Sequence, residues 1–378
     1  MGKKFIKKLY LTLRAIKFSI LSGFTSHMRR KIFRKESTRN ILVIAMKRGG
    51  DAILSIPAFR AIKESLPQSR VTVFANTYAK EILERINYID HIVEYDNSLS
   101  FLQKARLVRK LSRDQFDLAV DLTCDYTFEG GLLSYLSGAK YKVGYDIYGR
   151  GFLFNKAVKH EGGTPHAIDE ILNIVKSINL DTKDKSLKIS ASKEDEETIR
   201  QFLREKDVKE KDLLIGIHPG GHYPTQRWLN ERFAEVGDEV IKKYKAKVVL
   251  MGGPKEEELV SQIEKKMIND PLIFLNQPIG KLLALIQSCH LLICNNSGPL
   301  HMATALGIRT VSTMGPTIAE RWWPYGEGHV VIQKDLPCIS CNEGYCRLKT
   351  HDCMRLITVG EVLEAIDLQI SKIKRIKE

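Results

Sequence analysis

Acidic residues are almost missing from the first 40 positions of this 378-residue chain. Glu36 stands alone there against twelve Lys or Arg, so eleven of the +14 net charges fall in this leader. The body that follows is close to neutral, and the 43% hydrophobic and 28% charged content of the whole chain is ordinary for a soluble enzyme. The leader also lacks a long apolar run. Lys and Arg interrupt it before the roughly 18 residues that a spanning helix requires. No small-residue cleavage site follows a clean apolar core, which argues against an export signal. Nucleic-acid recognition motifs are missing too, and so is any tandem repeat of short period. Nucleic acid is therefore excluded as the expected partner.

What the leader does contain is a helical pattern. Phe5, Leu9, Leu13, Ile16, Ile20 and Phe24 recur at three- and four-residue steps, with Lys3, Lys4, Lys7, Arg14 and Lys17 mostly between them. An amphipathic helix with a basic face follows, suited either to the protein's own surface or to an anionic leaflet. The leaflet is the favoured partner, because each basic residue near it gains about 1 kcal/mol. The expectation is a cytoplasmic protein, peripheral on the inner face of the cytoplasmic membrane through residues 1–36.

After the leader (1–40), apolar runs alternate with helical stretches. Ile41–Ala45, Val71–Ala75, Ile92–Tyr95 and Leu118–Leu122 read as strands, with helices over Ala52–Leu66, Tyr78–Ile86, Leu99–Leu111 and Phe128–Leu136. The alternation breaks between Gly149 and Asp212, where His166–Ile178 is helical and residues 186–211 read as a charged linker with an exposed helix. It resumes with strands at Leu213–Ile217, Val248–Met251, Leu272–Phe274, Leu291–Cys294 and Thr310–Thr313. Such alternation predicts α/β architecture: two Rossmann-like, doubly wound parallel-sheet domains, 41–185 and 212–356, facing a cleft, with a C-terminal helix over 357–378. Ligands then sit at the carboxyl ends of the strands.

Two turns stand at such ends. Lys47-Arg48-Gly49-Gly50-Asp51 follows the first strand, and Asn295-Asn296-Ser297-Gly298-Pro299 follows the strand Leu291–Cys294. A strand, a polar Gly-containing turn and a helix N-terminus make an anion site, since first-turn N–H groups lack partners inside the helix.

The stretches ILVIAMKRGGDAILSIPAFRAIKESLP, HPGGHYPTQRW, GGPKEEE and NNSGPLHMATALG, in that order and spacing, resemble the ADP-heptose:lipopolysaccharide heptosyltransferase family, glycosyltransferase family 9. The resemblance runs from about Ile41 to Ile366. It implies a GT-B enzyme that moves a sugar, expected to be heptose from ADP-heptose, onto a lipid-linked acceptor such as a lipopolysaccharide core. Transfer inverts the anomeric centre and requires no metal or other cofactor.

Residue by residue, Asp51 matches the family's catalytic aspartate, and such chemistry needs a base for the acceptor hydroxyl. The same residue could cap the helix from Ala52. Asn296, Ser297, Gly298 and Pro299 match the diphosphate-binding turn and His301 its following histidine, although the family more often has Asp in place of Asn296. Gln226 stands where the family usually has Lys, so a cation against the pyrophosphate falls to Arg227 beside it, or to Lys47 and Arg48. Glu256 matches the acid that binds the nucleotide ribose, with Glu257 and Glu258 competing for that register. Two other classes share the features: a sugar-nucleotide epimerase of similar architecture, and a docking protein that only retains the fold. A family member using a different nucleotide-sugar is a third alternative.

Seven cysteines complete the inventory. Cys124, Cys289 and Cys294 lie in apolar surroundings and read as inert. Cys338, Cys341, Cys346 and Cys353 lie within 16 residues of polar chain. Their spacing suits a structural zinc, a pair of disulfides, or plain reduced thiols.

Overall fold

The computed structural model describes residues 31–45, 49–96, 98–125, 127–159 and 163–377. The chain divides into two compact units, one ending at Lys185 and the other beginning at Ser186. The first holds six strands: β1 (Asn40–Ile44), β2 (Arg70–Ala75), β3 (His91–Glu94), β4 (Leu118–Asp121), β5 (Tyr141–Tyr145) and β6 (Lys156–Val158). They form one parallel sheet in the order β3-β2-β1-β4-β5-β6. Ile41, Leu42, Val43 and Ile44 are fully buried, as expected of a strand covered on both faces. The covering helices are α1 (Gly49–Leu54), α2 (Ile56–Ser65), α3 (Thr77–Leu83), α4 (Phe101–Arg113), α5 (Glu129–Leu136) and α6 (Ala167–Lys176). Strand order reverses between β1 and β4, where Ile44 lies opposite Asp121. That reversal opens the crevice in which such sheets bind ligands.

The second unit repeats the plan. Its strands are β7 (Leu214–His218), β8 (Lys247–Gly252), β9 (Leu272–Leu275), β10 (Leu291–Asn295), β11 (Arg309–Thr313) and β12 (His329–Ile332). They run parallel in the order β12-β11-β10-β7-β8-β9. Around them lie α7 (Lys193–Glu205), α8 (Asn230–Tyr244), α9 (Glu257–Glu264), α10 (Ile279–Ser288), α11 (Gly298–Ala305), α12 (Ala319–Trp322), α13 (Asp352–Arg355) and α14 (Val359–Lys377). Here the reversal falls between β7 and β10, with Cys294 opposite His218. Trp228 anchors the core beneath it. The indole meets Phe233 edge-on at 5.1 Å, and its Nε1 donates to the carbonyl of Ile357 at 3.1 Å. Truncating an aromatic held this way costs about 3–5 kcal/mol.

Several sequence expectations need correction. The helix expected over Ala52–Leu66 is two helices, because Pro57 has no N–H to give the carbonyl of Ile53. The first of them begins at Gly49, which puts Asp51 inside the first helical turn and not at its N-cap. Strands β5, β6 and β12 were not foreseen. Residues 186–211 are not a free linker but part of the second unit. Ser192 caps α7 by accepting the N–H of Asp195 at 3.1 Å, Gln287 donates to Glu196 at 2.8 Å, and Ile189 N–H reaches the carbonyl of Ala305 at 3.2 Å. The C-terminal helix likewise belongs to that unit, burying Val362, Ile366 and Ile370 in its core.

The leader ends earlier than residue 40. Phe33 packs on Tyr141 with ring centroids 5.5 Å apart, and the N–H groups of Arg39 and Asn40 both donate to Asp117. The amphipathic stretch itself, residues 1–30, lies outside the described residues, as do Lys47 and Arg48.

Candidate functional site

In the second unit the chemistry collects where β7, β8, β10 and β11 end. His218 is the last residue of β7 and is 5% exposed. Its Nε2 lies 3.2 Å from Oε2 of Glu256, which also accepts the N–H of Gly253 at 2.9 Å. Gly220 lies close against this pair: a Cβ there would fall 1.8 Å from Oε1 of Glu256 and would push the carboxylate aside. Burial alone would raise the Glu256 carboxyl. The His218 hydrogen bond and charge, the Gly253 amide and the nearby Arg227 charge outweigh it, and the group titrates at about 2. The three neighbouring glutamates differ in their contacts. Glu257 bonds Asn276 and Glu258 bonds Gln262, both at the surface, while Glu256 alone turns back toward β7.

Asn295 closes β10 and is fully buried. Its Oδ1 accepts the N–H of Trp228 at 2.9 Å and the hydroxyl of Thr313 at 2.7 Å. Its Nδ2 donates to the carbonyls of Pro219 at 2.7 Å and Gly220 at 3.1 Å. One amide therefore ties the exits of β7, β10 and β11 together. Asn296 follows it, and among the described residues its buried Nδ2 has no hydrogen-bond partner. Ser297 occupies the N-cap of α11 without capping it, because its hydroxyl donates instead to the carbonyl of Asn295 at 3.3 Å. Gly298 and Pro299 open the helix. A polar donor without a partner thus stands beside an uncapped helix N-terminus, the arrangement that favours an anion. His301, one turn on, is 4% exposed and faces the Trp322 ring at 6.4 Å.

Arg227 leaves a three-residue 3-10 turn, Pro224–Gln226, and its Nε donates to the carbonyl of Gly221 at 3.1 Å. Gln226 is engaged in holding that turn. Its Nε2 donates to the Thr317 hydroxyl at 3.2 Å and its Oε1 accepts the Tyr223 N–H at 3.3 Å.

In the first unit, Asp51 sits partly exposed in the first turn of α1, where negative charge suits the helix dipole. Its carbonyl accepts the Ser55 hydroxyl at 2.8 Å, just where the helix breaks. Asp121 ends β4 beside it in the sheet order, fully buried, with Arg150 Nη1 at 3.8 Å from its Oδ2. Arg150 is itself fully buried and donates to the carbonyls of Tyr145 at 2.9 Å and Thr127 at 2.6 Å. The sequence reading placed Asn295 only in the polar turn, His218 only at the start of another, and gave no role to this Asp121–Arg150 pair. The signal for Asp121 was an acid closing an apolar strand; Arg150 carried none.

All seven cysteines are free thiols. Burial pushes Cys289 up to about 12 and Cys294 higher still, which makes both inert. Cys353 is pushed up to about 11, first by burial and then by the charges of Cys341, Cys338 and Cys346. Among the described residues, however, no three His, Cys, Asp or Glu side chains stand ready to hold a metal ion.

The model of glycosyltransferase family 9 (heptosyltransferase) matches residues 104–351. A lipooligosaccharide heptosyltransferase 2 of Campylobacter jejuni is 23% identical over 326 residues, covering 84% of this chain and 95% of that protein. A glycosyl transferase family 9 protein of Veillonella parvula superposes with a TM-score of 0.77 at 22% identity, over 88% of this chain and 97% of that one. The ADP-heptose lipopolysaccharide heptosyltransferase II of Escherichia coli gives 0.74 at 19% identity, over 89% and 99%. At such identities the two structures speak for the fold, which is the α/β, doubly wound architecture expected from the sequence.

Proposed function

Because this chain belongs to glycosyltransferase family 9, the heptosyltransferase family, we propose that it moves heptose from ADP-heptose to a lipopolysaccharide-core acceptor. The observation that carries the donor assignment is the buried, unpartnered Nδ2 of Asn296 beside the uncapped N-terminus of α11. A diphosphate supplies the acceptor oxygens that this corner lacks. Ser297 and Gly298 would lie against it, with Pro299 fixing the first turn and His301 supporting it from behind. Arg227 supplies the cation, in a bidentate contact that a lysine cannot make. Gln226, held by Tyr223 and Thr317, shapes the turn that presents it. Glu256, ionised and oriented by His218, takes the ribose hydroxyls.

Asp51 acts as general base. It removes the acceptor hydroxyl proton as that oxygen attacks the anomeric carbon from the face opposite ADP. The carbon–oxygen bond to ADP breaks, the configuration inverts, and the leaving diphosphate keeps the electron pair, stabilised by Arg227 and the α11 amides. Base and donor site belong to different units, so transfer requires both. No metal enters these steps. A structural zinc at Cys338, Cys341, Cys346 and Cys353 is a separate proposal that rests on their spacing alone, since their side chains do not gather into a metal site in the described structure.

No helix among the described residues is long and apolar enough to cross a membrane. We place the enzyme at the cytoplasmic membrane face, held through its basic leader, where a lipid-linked acceptor is made available. Incubation with ADP-heptose, with and without a defined lipid-linked acceptor, tests the reading. ADP release that depends on acceptor supports transfer. Conversion of the nucleotide-sugar without acceptor would instead favour an epimerase, and no conversion at all a docking protein.

A further inference from the structure

The cysteine-bearing loop is not an appendage, since it grips the turn that presents Arg227. Thr225, in the middle of that turn and 8% exposed, donates its hydroxyl to the carbonyl of Glu343 at 2.7 Å. Its own carbonyl accepts the Nε2–H of His351 at 2.8 Å. Beside it Gly344 lies flat against the Tyr223 ring, so closely that a Cβ there would stand 2.9 Å from Cδ1. The loop is fastened in turn: Asn342 N–H donates to the carbonyl of Pro316 at 2.7 Å, and His351 N–H to the Cys346 thiol at 3.4 Å.

A 3-10 turn of three residues is weak by itself, with strained hydrogen bonds and no length to share them. This one has two internal bonds, Gln226 N–H to Tyr223 and Arg227 N–H to Pro224. The hydroxyl and the carbonyl of Thr225 are taken by chain 118 and 126 residues downstream. The residue that follows the turn is the cation whose charge helps to lower Glu256, and its reach is short because Nε is already committed to Gly221. The direction in which the backbone leaves the turn therefore fixes where the guanidinium lands.

We propose that His351 and Thr225 are positioning residues for the donor: the loop Cys338–His351 braces the 224–226 turn and thereby sets Arg227 against the donor phosphates. The proposal rests on the donor-site reading above. His351 has a backbone φ of 58°, in the left-handed region that histidine enters more readily than alanine or glutamine. Alanine and glutamine therefore share a cost at position 351, and a difference between them isolates the side-chain hydrogen bond, because glutamine can offer an N–H where Nε2 lies.

The test uses the full chain and ADP as the probe. His351→Ala should weaken ADP binding about fivefold, the usual worth of one such hydrogen bond, and lower kcat/KM for ADP-heptose at least as much. His351→Gln should restore affinity to within about twofold of wild type. Thr225→Val, of similar shape, should weaken ADP as His351→Ala does, with melting temperatures recorded for all three. Unchanged ADP affinity in His351→Ala, or equal losses in the Ala and Gln variants, would overturn the proposal. So would failure of both His351→Ala and Thr225→Val to fold, which would mean that the loop holds the whole unit and not the turn. If the wild-type protein does not bind ADP, the donor-site reading fails first and the brace fails with it.

Discussion

The side-chain oxygen of Asn295 accepts the backbone N–H of Trp228 at 2.9 Å, joining positions 67 residues apart. The same amide fills its other bonds with Thr313, Pro219 and Gly220, so this corner of the second unit is held from its centre and not from its rim. Asn295→Asp keeps the shape but turns an acceptor, and a charge, toward two carbonyls in a fully buried place. It should lower unfolding free energy by about 3 kcal/mol or more and weaken ADP binding with it. Urea denaturation measures this; a loss within about 0.5 kcal/mol would show that the corner does not depend on Asn295.

Glu256 gives a pH dependence whose sign follows from its shift. Folding lowers its carboxyl to about 2, against an unfolded value of roughly 4.3. A depressed acid stabilises the fold above its unfolded pKa and loses that contribution as pH falls toward the folded one. Glu256→Gln should therefore be less stable than wild type near about pH 7, with the gap narrowing between about pH 4.5 and pH 2. Denaturation curves across that range check it. A gap that stays constant on acidification would mean that the ionised carboxylate contributes nothing.

The leader prediction is sharpened by where the body begins. Removing residues 1–30 leaves the Phe33–Tyr141 contact and the Asp117 bonds intact. The full chain should bind anionic vesicles, and less so as salt screens the charge, whereas the truncated chain should not bind them. Transfer to a soluble acceptor analogue should survive the truncation. Equal binding of the full chain to neutral and anionic vesicles would remove the electrostatic account.

For the four clustered thiols, the zinc proposal predicts about one metal equivalent per purified chain and a melting temperature lowered by a chelator. Metal-free protein in which all four thiols titrate would reject it.

Sequence patterns carried most of the sheet and less of the site. Runs such as Ile41–Ile44 and Leu291–Cys294 are continuous because both faces are covered, and continuity is easily read. Strand β5 hides behind Lys142 and Gly144, and β6 has only three residues at an edge, so neither makes a run. The charged composition of 186–211 suggested a linker because α7 buries only Ile199 among its own residues. Asp51, Asn296 and Arg227 were singled out through motif order. His218 was read only as the start of a turn, although it closes a strand ahead of Pro219 and Gly220. Its partner Glu256 lies 38 positions away, and only β7–β8 pairing brings strand ends so far apart in sequence together.

The central claim is that Asp51 takes the acceptor proton in transfer from ADP-heptose. Its most direct test is the turnover of Asp51→Asn with saturating ADP-heptose and a defined lipid-linked acceptor, measured alongside ADP affinity. The account predicts a rate lower by about two orders of magnitude or more, since a general base is worth about that much, with ADP affinity unchanged. Turnover within a few-fold of wild type would contradict it.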